Sequence, residues 1–139
     1  MRQGSAIEAE KLVAVTAPIF QSTMPDGSPQ LTQVWVDTDG EDVLINTVEG
    51  HQKLRNVRRD PRVALTLSDP ARPTDYVQIR GEVREVTTDG AREHIDELSQ
   101  KYLGRPYPNF GGATQQRVLL RTGGGSAPLR ALTSTGYAG

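Results

Sequence analysis

Glycine and proline cut this chain into runs too short for a helical bundle: fourteen glycines and nine prolines are spread over 139 residues. The sharpest cluster is Pro25-Asp26-Gly27-Ser28-Pro29, where proline presets the first bend and glycine supplies a positive φ. After it, Gln30 to Val36 alternates Leu31, Gln33 and Trp35 against Thr32, Val34 and Val36, the period of one strand with Trp35 on one face. Asp37-Thr38-Asp39-Gly40 then turns the chain into Val43 to Val48, which predicts a hairpin. Residues 50–60 predict a short helix with Leu54 and Val57 inward, ended by Pro61. Arg62 to Ser68 reads as a third strand and residues 69–74 as a proline-bounded loop. Tyr76 to Thr87 reads as a long strand, bulged or bent at Gly81. Thr88 is placed to cap a helix over 89–103, whose Ala91, Ile95, Leu98 and Tyr102 share one face. Residues 104–116 read as loop, and Arg117 to Arg121 as a last short strand. A short helix over 6–14 opens the chain.

These elements predict a mainly β (α+β) domain. An antiparallel barrel with an inserted helix fits them better than a flat α+β sandwich. The body spans residues 1–122, and the Gly-, Ser-, Thr- and Ala-rich residues 123–139 are expected to form a flexible tail.

Composition then removes whole classes of function. Lys and Arg number 16 against 17 Asp and Glu, a net charge of −1, so the basic excess of a general nucleic-acid binder is missing. Cysteine is absent, which removes disulfides and thiolate chemistry and fits a reducing cytoplasm. With His51 and His94 the only histidines, a multi-histidine zinc site is excluded, and no metal is expected. No apolar run reaches the roughly 18 residues of a membrane span. Leu12 to Phe20 makes a poor signal peptide, with Glu8, Glu10 and Lys11 before it and Pro18 inside it. The reading is a cytoplasmic domain.

The densest chemical signal is His51-Gln52-Lys53-Leu54-Arg55-Asn56-Val57-Arg58-Arg59-Asp60-Pro61-Arg62, with five Lys or Arg entered from a strand through Glu49-Gly50. A helix start offers free amides and a positive dipole end to a phosphate, and Lys53 in the first turn adds a full charge. A solvated basic face is the competing reading. Gln30, Leu31, Thr32 and Gln33 bring amide side chains to a strand edge, where they could bond a planar heterocycle; Asn46-Thr47 and Tyr76 are open to either a core or a ligand role. His94 lies on the charged side of its helix and is expected in solvent, and Trp35 is expected to anchor a core or an interface. No Ser-His-Asp set, nucleophile elbow or Walker loop is present, so any catalysis would come from a bound cofactor.

The run Met24-Pro-Asp-Gly-Ser-Pro-Gln-Leu-Thr-Gln-Val-Trp-Val-Asp, followed by Leu44-Ile-Asn-Thr-Val-Glu-Gly-His-Gln-Lys-Leu-Arg-Asn-Val-Arg-Arg-Asp-Pro, resembles the pyridoxamine 5′-phosphate oxidase-like, split β-barrel flavin and deazaflavin proteins. The likeness continues through Tyr76-Val-Gln-Ile-Arg-Gly-Glu-Val and His94-Ile-Asp-Glu-Leu-Ser-Gln-Lys-Tyr-Leu-Gly, and is strongest to the branch that uses coenzyme F420. It implies a split antiparallel β-barrel, a homodimer with two cofactor sites at its interface, and hydride transfer between F420 (alternatively FMN) and a small-molecule substrate. A non-catalytic cofactor-binding dimer is the third reading. The resemblance further implies Lys53, with His51 and Gln52 around it, on the cofactor phosphate. Asn46 and Thr47 would lie near that phosphate, Gln30 to Gln33 beside the ring and ribityl chain, and Tyr76 at the dimer-lined edge. His51 stands where this branch often has arginine.

Overall fold

The computed structural model describes residues 2–3, 18–112, 114–123 and 130–134. Along the described chain come β1 (Arg2–Gln3), β2 (Ile19–Thr23), β3 (Pro29–Gln33), β4 (Val36–Thr38) and β5 (Val43–Val48). Then follow α1 (Gln52–Arg59), β6 (Arg62–Asp69), β7 (Arg72–Thr87), α2 (Ala91–Leu103), β8 (Arg117–Gly123) and β9 (Arg130–Ser134). The helix expected over 6–14 falls outside the described residues.

The strands pair antiparallel in the order β3-β2-β6-β7-β8-β5-β4, with β9 joining β7 and β1 joining β9. The two ends of this path, β3 and β4, are separated in sequence only by Val34 and Trp35. Three Cα steps reach at most about 11 Å, so the sheet curls until its ends approach. The result is a split β-barrel. Here the single strand expected over 30–36 is corrected: the chain breaks at Val34–Trp35, exchanging β2 as neighbour for β5.

Alternation fills the barrel. Val63, Leu65 and Leu67 of β6 point inward with Val77 and Ile79 of β7, and meet Phe20, Val36, Ile45, Val118 and Leu120. Each such side chain contributes roughly 1.5–3 kcal/mol by leaving water. All six residues of β5 are buried, because its second face lies under α2, where Leu44 meets Ala91 and Leu119.

Turn chemistry sets the registers. Gly27 has φ +89°, and Asp26 accepts hydrogen bonds from the Ser28 amide at 2.9 Å and hydroxyl at 2.5 Å, fixing the β2–β3 hairpin. The expected loop 69–74 is shorter than its prolines suggest: β7 already begins at Arg72, after a turn in which the Ala71 amide donates to Asp69. Gly81 pairs regularly with Val63, and the bulge lies instead between Val83 and Glu85 on the β8 side. Around Gly81, β7 exchanges β9 for β8 as neighbour. Helix α2 starts after Gly90, whose φ is +73°, with no side-chain cap, so Thr88 is not the N-cap. Within the tail expected to be flexible, residues 130–134 form β9, paired with Tyr76–Arg80.

Candidate functional site

Strand β5 pairs with β8 so that Val48 lies opposite Arg117 and Asn46 opposite Leu119, which makes Asn46 and Arg117 diagonal neighbours on one face. Beyond Val48 the chain turns through Glu49-Gly50, with the Glu49 amide bonded to the Gln116 carbonyl at 3.0 Å. Gly50 has φ +95°, and His51, extended at φ −70° and ψ 147°, leads into α1. Lys53 thus stands in the first turn of α1, beside the start of β8. Nothing lies within 4 Å of where a Gly50 Cβ would sit, so only backbone strain opposes a side chain there. Gly50→Ala is expected to cost about 1–2 kcal/mol, the usual penalty of that conformation, and a thermal melt would show it.

These elements enclose a cavity of about 480 Å³. Its polar lining comes from Asn46, Thr47, His51, Lys53, Arg117 and Gln33; its apolar lining from Pro18, Val34, Trp35, Val48, Ile95 and Leu98, with Tyr102, Tyr107 and Phe110. Trp35 stacks on Tyr102, ring centroids 5.4 Å apart, and meets Tyr107 edge-on at 6.3 Å. Helix α2 holds this aromatic group in place: Lys101 Nζ donates to the Val36 carbonyl at 2.7 Å, and the Val36 amide donates to Tyr102 Oη at 3.3 Å. Phe110, 69% exposed, packs edge-on against Tyr107.

The electrostatics are one-sided. Burial, then the charge of Arg117, pushes the Lys53 ammonium below the usual lysine range. His51 is lowered by burial, then by Lys53, Arg117 and Arg55, and Arg117 is itself lowered, chiefly by burial. Among the described residues neither Lys53 nor Arg117 forms an ion pair with a carboxylate. Thr47, only 2% exposed, keeps its hydroxyl without a partner. Converging cations without a counter-charge among the described residues, plus an unmatched buried hydroxyl, give the cavity chemistry that suits an anion.

The rest of the basic run is spent elsewhere. Arg58 makes a paired contact to Glu49 at 2.6 and 3.0 Å, Arg62 binds Asp60, Arg55 bonds Gly50 and Gln52, and Arg59 bonds the Thr23 carbonyl. Of the candidates read from the sequence, Gln33, Asn46, Thr47, His51 and Lys53 come together at the cavity. Gln30 and Gln52 bond Asn56, Leu31 is 66% exposed, Thr32 pairs with Phe20, and Tyr76 pairs with Ser68 on β6, all outside the cavity lining. Arg117, Tyr102, Tyr107 and Phe110 are not among the site residues that the sequence points to. Arg117 opens β8 and the last two lie in a loop, so no local period marks these three, while the helical period of Tyr102 marks only a packed face.

His94 is a correction. It is 6% exposed, with Nδ1 3.2 Å from Asn46 Nδ2. Burial lowers its pKa, against which Asp37 and Glu97 act. The unfolded chain therefore binds a proton more readily than the folded one. Stability is fully present above the ordinary histidine range near pH 6.5 and is lost as pH falls below it. Urea midpoints between about pH 7.5 and 5 should fall in the parent and stay flatter in His94→Asn.

Comparison with known proteins places this geometry. The sequence model of the family described as pyridoxamine 5′-phosphate oxidase matches residues 8–135. Among solved structures, a protein titled F420 reductase is 27% identical, covering 81% of this chain and 90% of its own, with TM-score 0.69. A conserved hypothetical protein of Mycobacterium tuberculosis is 25% identical over 94% of this chain and 85% of its own, with TM-score 0.68. An FAD and heme binding protein of Mycobacterium smegmatis, 16% identical over 100% of this chain and 76% of its own with TM-score 0.66, shares the fold. No protein in the curated comparison matches significantly. Among the described residues no helix is long and apolar enough to cross a membrane, and no group of three His, Asp or Glu is placed to hold a metal.

Proposed function

Because this chain belongs to the pyridoxamine 5′-phosphate oxidase family, one of flavin- and deazaflavin-binding oxidoreductases, we propose that it binds coenzyme F420 and transfers a hydride between the deazaflavin and a small organic substrate. The observation that carries the reading is the pair of cations Lys53 and Arg117, with His51 beside them and no carboxylate paired to either among the described residues, set beside stacked aromatic rings in one cavity. A phosphate matches the first part and a flat heterocycle the second.

In this reading Lys53 Nζ and the first amides of α1 hold the cofactor phosphate, with Arg117 adding charge and the His51 imidazole and Thr47 hydroxyl adding hydrogen bonds. Gln33 offers its amide toward the ring end, Asn46 holds Arg117 at the phosphate end, and Trp35, Tyr102 and Tyr107 flank the ring and exclude water. The deazaflavin, when bound, supplies the hydride chemistry; the protein orients the two reactants and keeps them dry.

A homodimer belongs to the same reading. Leu31 and Ile19, exposed at 66% and 39% on the β3–β2 hairpin, would meet a second copy there, and Gln30, Thr32, Gln52 and Tyr76 would approach the cofactor from the interface side. Trp35 spends its ring inside its own chain, on Tyr102, rather than offering it whole to a partner. Sedimentation at micromolar concentration should show a dimer; a 15.2 kDa species would contradict it.

FMN is the second reading, since the family is one of flavin as well as deazaflavin proteins, and it would use the same phosphate group. Parallel titrations of the purified protein with F420 and with FMN separate the two. F420 is expected to bind more tightly and, once reduced, to be reoxidised in the presence of an unsaturated acceptor. Tighter FMN binding would transfer the reading to a flavin enzyme, and binding without turnover would make the protein a carrier.

A further inference from the structure

Asn46 has no freedom in how its amide points. Arg117 Nε can only donate, and lies 2.8 Å from Asn46 Oδ1; the Ala91 carbonyl can only accept, and lies 2.7 Å from Asn46 Nδ2. The same Nδ2 faces His94 Nδ1 at 3.2 Å, so Nδ1 must accept and the imidazole proton must sit on Nε2. Nε2 is buried with no partner, which leaves the Asn46 contact as the feature that selects this tautomer. On its other side Arg117 lies against Tyr107, its guanidinium carbon 5.2 Å from the ring centroid, and the Tyr107 side chain favours its charge.

We propose that His94 and Asn46 are a positioning pair that holds Arg117 against the cavity, so that the cavity grips an anion only while His94 is unprotonated. A proton on Nδ1 would set a donor against the Asn46 amide group. To accept from it, the amide would turn over and present NH2 to Arg117, breaking both the Arg117 and the Ala91 bonds. The groups around His94 are Asp37 on β4 and Glu97 on α2, which favour the charged ring, and Arg121 and Arg117 on β8, which join burial in favouring the neutral one; the net shift is downward. The inference deepens the proposed function only in taking the cavity as an anion site; it does not depend on which cofactor enters.

The test uses inorganic sulfate, doubly charged across the whole pH range, titrated at constant ionic strength and read from the indole N–H resonance of Trp35, the sole tryptophan, in the cavity lining. His94→Asn keeps an acceptor near Nδ1 and cannot titrate; His94→Leu removes the acceptor. At about pH 7.5 the parent and His94→Asn should bind alike, with His94→Leu roughly five- to tenfold weaker. At about pH 5 the parent should fall about fivefold below His94→Asn, and His51, present in both, cancels from that ratio. In an Arg117→Ala background, His94→Leu should change affinity less than about twofold, because its route of action is gone. Parallel pH profiles for the parent and His94→Asn would overturn the proposal, as would an undiminished His94→Leu loss without Arg117. Should His94→Leu fail to fold, the pH comparison decides alone. Absence of sulfate binding by the parent would overturn the anion site itself, whereas intact sulfate behaviour without F420 or FMN binding would remove the cofactor reading only.

Discussion

Lys53→Ala is expected to weaken cofactor binding by about ten- to a hundredfold while leaving the melting temperature nearly unchanged. The charge lost is one that the fold does not neutralise: Lys53 forms no ion pair among the described residues, and burial and Arg117 both push its pKa down. A bound phosphate reverses that penalty, and a charge-assisted contact of this kind contributes roughly 1.5–3 kcal/mol. In the free protein the same charge is slightly unfavourable, so its removal costs folding little. Arg58→Ala is the control, because its exposed pairing with Glu49 is turned away from the cavity and surface pairs of this kind are worth at most about 1 kcal/mol. Equal loss in both variants would mean that the basic helix acts as a diffuse surface charge.

The largest effect on stability is expected at a residue that touches no ligand. Asn56 is fully buried, and its Nδ2 donates to Ser22 Oγ at 3.1 Å and Gln30 Oε1 at 3.2 Å, with Met24 Sδ at 3.4 Å. Its Oδ1 accepts from Gln52 Nε2 at 2.8 Å and from Arg59 at 3.4 Å. One amide therefore ties α1 to both β2 and β3. Asn56→Ala would take the amide donor from the buried Ser22 Oγ and from Gln30 Oε1, leaving them only their mutual contact at 3.3 Å, and would open a small void, for a cost of about 3 kcal/mol. At this chain length that is a fall of roughly 10 °C in Tm. A shift under about 3 °C would show that water replaces the network at little cost.

Much of the scaffold is legible in the residues because local rules and global packing agree there. The Pro-Asp-Gly-Ser-Pro turn, the buried run Val43–Val48 and the helix closed by Pro61 all follow from local chemistry. The break at Val34–Trp35 does not, since the alternation runs on unchanged while the strand exchanges one neighbour for another at the far end of the sheet. His94 reads as exposed because Glu93, Asp96 and Glu97 surround it in sequence. Its spacing of three from Ala91 and four from Leu98 puts it on the apolar face, and that periodicity was the available signal. Asn56 and Arg117 follow the opposite pattern, polar residues in polar surroundings whose burial depends on a distant strand. The helix-start reasoning leads to Lys53, but only the fold shows that Arg55, Arg58 and Arg59 bond elsewhere and that Arg117 arrives from β8.

The central claim is that one cationic cavity holds the phosphate of a flavin-like cofactor, and a crystal structure of the protein grown with F420 tests it most directly. The account predicts a phosphate oxygen within about 2.7–2.9 Å of Lys53 Nζ, with the ring lying against Trp35 and Tyr102. A cofactor whose phosphate sits in solvent or on another surface, with Lys53 and Arg117 uncontacted, would contradict it.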